Sequence, residues 1–207
     1  MSAGNNPMIT IQRLALAAAI TGGLGLVFLI LMAVVGMGNS FQSIFGTLND
    51  VANAVMAVLG VILASLLFMH YRSQLQWFHP LFLGTSILGG IVAVWGSILV
   101  ISGRSGFILA GLYSAAGFGL IGLWLLTFNL AMRGNGSLNQ GIVTFGIITG
   151  LAMILGLGGL PSLFRNADAF DQIPMVEMIL WSIGSLAWLI LQPIWYYLLS
   201  RGLVRAG

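Results

Sequence analysis

Cysteine and lysine are both missing from this 207-residue chain, and charge is scarce, with seven arginines and four acids making up 5% of it. Without cysteine there can be no disulfide, no thiol nucleophile and no thiolate metal site. An ordinary soluble domain carries roughly 25% charged residues, so the chain lacks the polar surface of a dissolved globule. Histidine is also rare, at two residues, which leaves few nitrogen ligands for a transition metal or a haem. The net charge of +3 has the sign of a nucleic-acid binder, yet its arginines are scattered over the ends of separate segments. They form no basic patch, and no nucleic-acid partner is expected.

Apolar residues are abundant, at 59% of the chain. About 20 of them in succession cross a hydrocarbon core roughly 30 Å thick. Six runs qualify, at 14–36, 51–69, 81–101, 107–132, 141–164 and 178–200. They predict an all-α, polytopic membrane helix bundle, a single transmembrane domain over 1–207 with lipid as its surroundings. The first run is longer than the roughly 7–15 apolar residues of a cleavable signal, and is read as a retained helix.

Six spans put both termini on one side. Arg13, Arg72, Arg133, Arg201 and Arg205 share that side and Arg104 and Arg165 lie opposite, so the positive-inside rule predicts cytoplasmic termini in a cell inner membrane. The acids Asp50, Asp168, Asp171 and Glu177 fall on the opposite side. With these run boundaries every charged residue lies outside the spans, Asp50 just ahead of the second. Proton pumps and cation-coupled carriers generally keep an intramembrane carboxylate or histidine, and membrane enzymes an acid, base or nucleophile. The expectation is a non-catalytic protein.

The connections carry helix-start signals. Thr47-Leu48-Asn49-Asp50 and Ser137-Leu138-Asn139-Gln140 are capping-box patterns ahead of the second and fifth runs. Phe41, Ile44, Phe45 and Leu48 repeat at helical spacing among polar residues, predicting a short amphipathic segment in the interface. The two boxes lie 90 residues apart, and 21–26 is loosely echoed in 115–120. Three-plus-three inverted repeats of transporter folds have this form, as does coincidence between glycine-rich helices.

Small residues four apart let helix backbones approach in lipid. Such seams run through Thr85, Gly89, Ala93 and Ser97, through Gly111, Ala115 and Gly119, through Gly60 and Ala64, and through Gly146 and Gly150. Each packs inside the bundle or against another transmembrane subunit. The string Gly117-Phe118-Gly119-Leu120-Ile121-Gly122 matches the dinucleotide fingerprint but sits in mid-span, where its amides serve the helix. Asn135-Gly136-Ser137 is a sequon on the side predicted to be cytoplasmic, and is read as chance.

In the last run Trp181, Trp188 and Trp195 recur every seven residues, and Ser185 and Gln192 share their face. Pro193 removes a helix donor there and frees the carbonyl at Leu189. The stripe suits a cavity for lipid, quinone, carotenoid or a chlorophyll-type pigment. Equally, Trp181 and Trp195 suit the interfacial belts where indole is favoured, with Trp188 filling the bundle. His70 and His79 flank the connection between the second and third runs, as polar anchors beside Tyr71, Arg72 and Trp77, or as ligands to a single tetrapyrrole. Asp168, Asp171 and Glu177 read as a solvated acidic loop, with too few oxygens for calcium. Within the spans Asn53, Thr85, Ser86, Tyr113, Ser114, Asn129, Ser182, Ser185 and Gln192 are expected to bond between helices.

Gly122-Leu123-Trp124-Leu125-Leu126, Arg133-Gly134, Leu138, Gly141 and Gly150 resemble a recurrent stretch of a bacterial six-span family of unknown function. The resemblance covers the fourth to sixth runs, while the first half departs from the pattern, and it implies six spans without an activity or site residues. The sequence therefore predicts an accessory or scaffold subunit that packs against other transmembrane chains or holds lipid, quinone or pigment. The alternative is a small facilitator for a neutral or amphipathic solute.

Overall fold

The computed structural model describes residues 7–35, 40–76 and 79–203, with the side chains of 40–43 outside the description. Six long helices make up the chain: α1 (Pro7–Val35), α2 (Ser40–His70), α3 (His79–Ile101), α4 (Phe107–Met132), α5 (Gln140–Phe164) and α6 (Met175–Gly202). There is no strand among the described residues. Each helix is long and apolar enough to cross a membrane.

Two expected starts are corrected. The second helix begins at Ser40 and runs unbroken for 31 residues. Thr47 is thus helix interior and caps nothing, and the interfacial segment is simply the first turns of α2. Of its apolar residues, Ile44 and Leu48 are exposed, while the side chain of Phe41 lies outside the described residues. Apolar spacing continues from one segment into the next with no glycine or proline between Leu48 and Met69 except Gly60, so nothing stops the helix. At α5 the cap is Asn139, whose side chain accepts from the Gly141 amide at 2.8 Å. Ser137 instead donates its hydroxyl to Gln74 Oε1 at 2.8 Å.

That bond, with Asn135 Nδ2 donating to the same oxygen at 3.0 Å, ties the 71–78 and 133–139 connections together at one end of the bundle. At the other end Asp168 ties 165–174 to the start of α4. Its carboxylate accepts from the amides of Gly106 at 2.7 Å and Leu109 at 3.0 Å, supplying α4 with the cap that Gly106 cannot. Glu177, in the first turn of α6, accepts from Arg165 at 2.9 Å and from the Ser162 hydroxyl at 2.5 Å. Asp168 and Glu177 are therefore structural ties, which corrects the reading of a merely solvated acidic loop.

The most buried helix is α4, because its sequence from Ala110 to Gly122 is dominated by glycine and alanine and admits neighbours closely. The α3 seam faces it. Gly89 and Ala93 lie against Gly117, where a methyl group on either glycine would strike the facing backbone, and Thr85 donates across to the Leu120 carbonyl at 3.3 Å. On the other side Gly119 meets Met153 and Leu157 of α5, Gly150 meets Leu126, and Gly146 meets Asn129. Asn129 itself bonds within its own helix, Nδ2 donating to the Leu125 carbonyl at 2.8 Å, so it makes no bond between helices. The α1 helix packs on α2 and on the end of α6, closing the ring.

Two helices depart from α geometry. Leu155–Gly159 of α5 forms a 3-10 turn where Gly156 meets Gly184 of α6, backbone to backbone. Ala187–Leu191 of α6 forms a π turn, with the Gln192 amide bonding back five residues to the Ala187 carbonyl. Pro193 follows directly, and the wider turn removes the conflict between its ring and the preceding backbone.

Candidate functional site

Within α2, Asn53 stands four residues after Asn49 and three after Asp50, so the three fall within an arc of about 100° on the helix. That face points inward. Their exposures are 4%, 8% and 5%, and Asp50 falls within the stretch Ile44–His70 of α2 that is long and apolar enough to cross a membrane. This overturns the expectation of a charge-free interior. The sequence places Asp50 before the apolar run that begins at Val51, but α2 starts ten residues earlier and carries the carboxylate into the bundle.

The three side chains line a cavity of about 230 Å³ between α1, α2, α4 and α6. Its other walls are Leu29 of α1, Phe107, Gly111 and Ser114 of α4, and Trp181, Ser185, Trp188 and Leu189 of α6. The Trp181 indole N–H donates to the Gly111 carbonyl at 3.3 Å, which fixes the ring across the gap between α6 and α4. The Trp188 ring stacks on Phe118 with centroids 4.4 Å apart and planes 7° from parallel. Its own N–H has no partner among the described residues, and neither has the Asn49 side-chain carbonyl. No ion pair reaches Asp50 among those residues.

Leaving one neutral polar group buried and unpaired costs about 1–3 kcal/mol, and a lone buried charge costs more. A carboxylate with no ion-pair partner among the described residues, two asparagines and two serines line this one space. The arrangement can accept hydrogen bonds, donate one, and balance a positive charge.

The tryptophan stripe is corrected in two ways. Trp181, Trp188 and Trp195 are 8%, 5% and 0% exposed, so none is a belt residue facing the interface. The stripe is also not one surface, for Trp181, Ser185 and Trp188 line the cavity while Gln192 and Trp195 lie beyond it. The π turn between the two groups shifts the phase of every side chain that follows. Gln192 donates to the Tyr196 hydroxyl at 2.7 Å, close to Gly60, and leaves its own carbonyl unpaired, as is the Trp195 N–H.

The histidines do not meet as a haem pair. His70 is exposed and packs edge-on to Tyr71. His79 is buried at the start of α3, with Nδ1 3.2 Å from the Gln76 carbonyl and Nε2 3.4 Å from the Thr127 carbonyl of α4, so a neutral ring donates to one of these backbone oxygens. Near the loop ends, the oxygens of Asp168 and Glu177 are engaged as described, and no group of three metal-ligating side chains occurs among the described residues.

Comparisons with protein families, with curated proteins and with solved structures return no match to this chain. The resemblance of its second half to a six-span family accordingly assigns no family. Among the cavity residues, sequence reading found Trp181, Ser185 and Trp188 and passed over Asn49 and Asp50. The available signal was the polar trio at helical spacing; an apolar run taken to begin at Val51 hides it.

Proposed function

We propose that this chain is a non-catalytic, multi-pass membrane protein that holds a small amphipathic molecule in the cavity around Asp50. The observation that carries this reading is a buried carboxylate, without an ion-pair partner among the described residues, on the wall of a cavity among four helices. Sites for drug-sized ligands occupy roughly 300–1,000 Å³. At about 230 Å³ this one suits a compact molecule, and a carotenoid or chlorophyll would not be enclosed by it.

A facilitator reading is favoured over a purely accessory one by two features. The accessory reading drew its force from an interior without charge, and Asp50 is buried in that interior. Below the cavity, α6 also continues with unpaired polar atoms on Gln192 and Trp195, beyond a non-α turn of the kind that often marks functional sites. Packing against other transmembrane subunits remains compatible with either role, through the broad apolar outer faces of α1 and α3. The excess of arginine on the side of the termini supports cytoplasmic ends in an inner membrane.

Native mass spectrometry of the 21.9 kDa chain after mild detergent extraction tests the reading. A small molecule retained by the native protein and lost from Ser114→Trp, which fills the cavity, is the expected result. A bare chain in both samples would refute it, and copurified larger chains would favour the accessory role.

A further inference from the structure

We infer that the molecule held in this cavity is a small organic cation, with an ammonium head and an apolar body, for which Asp50 is the counter-charge. The inference rests on the reading of the cavity as a ligand site and specifies its chemistry. Its starting point is electrostatic. The cavity wall contains one carboxylate and no arginine or histidine, and no ion pair reaches that carboxylate among the described residues. A neutral ligand would leave the charge uncompensated, and an anion would add a second one beside it. A cation beside Asp50 lowers the cost of keeping it ionised there.

Hydrogen-bond capacity narrows the choice. An ammonium head offers donors and no acceptor. Beside Asp50 the walls carry Asn49 and Asn53, with Ser114 of α4 and Ser185 of α6, so side-chain oxygens that can accept line the space.

Size and lining separate an organic cation from a metal ion. The cavity has the volume of about eight water molecules, and its remaining walls are indole, phenyl and leucine with Gly111, Ser114 and Ser185. Calcium takes six to eight oxygens, and the few oxygen-bearing side chains here supply one carboxylate between them. Aromatic walls add attraction for a desolvated ammonium through the ring quadrupole.

The test uses the full chain in a neutral sugar detergent, with 2-phenylethylammonium as the cation and 2-phenylethanol as its uncharged counterpart, titrated by calorimetry. Native protein should bind the cation at least about tenfold more tightly than the alcohol, the size of effect expected for a hydrogen-bonded charge. In Asp50→Asn that preference should vanish while weak alcohol binding persists, and matching thermal unfolding profiles would exclude a folding defect. Equal binding of both probes by native protein, or an unchanged preference in Asp50→Asn, overturns the cation proposal and leaves the ligand site standing. Sodium ions that bind alone in an Asp50-dependent way and displace the amine would also overturn it, in favour of an inorganic cation. If neither probe binds, the molecule retained in native mass spectrometry decides: a cation supports the proposal, a neutral or anionic molecule overturns it. No retained molecule at all overturns the ligand site itself.

Discussion

Replacing Asp50 with asparagine preserves the size of the side chain and removes its full charge. In the ligand-free protein that charge has no partner among the described residues, so it contributes no favourable pairing that the substitution could remove. The unfolding temperature of Asp50→Asn in detergent should therefore be at least that of the native chain. A fall of several degrees would mean that the carboxylate is structurally paired. The same residue shows where sequence reading stops. Asn49, Asp50 and Asn53 share a helix face in any helix that contains them all, so the trio was legible once α2 was known to begin at Ser40. Hydropathy ended the span at Val51 and assigned Asp50 to water. Trp181, Ser185 and Trp188 were legible from their spacing, because the helix is regular up to Leu186 and the π turn has only begun at Trp188. Gln192 and Trp195 were not, because the phase shift of a π turn leaves no mark in the spacing itself.

At the scale of an element, α4 illustrates how a buried helix depends on a remote residue. Its first turn opens at Gly106, which has no side chain to cap it, and both oxygens of Asp168 take that role from 62 positions away. Asp168→Ala should cost about 1 kcal/mol, the typical value of a lost N-terminal cap, with Asp168→Asn recovering part of it. Thermal unfolding in one detergent compares the three proteins, and equal stabilities would show the cap to be energetically idle. Pairing between a loop acid and a helix start lies beyond sequence periodicity, since the partners are joined only by the fold. By contrast, the α3 and α4 seams were visible as small residues four apart, and only the identity of their neighbours was missing.

Across the whole molecule, six apolar runs became six helices, for the reason that a run of that length has one economical conformation in lipid. The absence of cysteine makes sidedness directly measurable, since any introduced thiol is unique. Ser105→Cys and Asn135→Cys sit in connections at opposite ends of the bundle. A membrane-impermeant maleimide added to intact cells should label Ser105→Cys, with Asn135→Cys labelled only after permeabilisation. The reverse pattern would invert the proposed orientation.

The cavity joins parts of the chain that are made far apart in time. Trp181 follows Asp50 by 131 residues, and the helices carrying Ser114 and Trp181 are made after α2. Throughout that interval a carboxylate stands in a membrane helix without the walls that later enclose it. Synthesis thus passes through a stage in which Asp50 lacks the walls that α4 and α6 later supply. A chain cut short before α6 would stay at that stage, without Trp181, Ser185, Trp188 and Leu189.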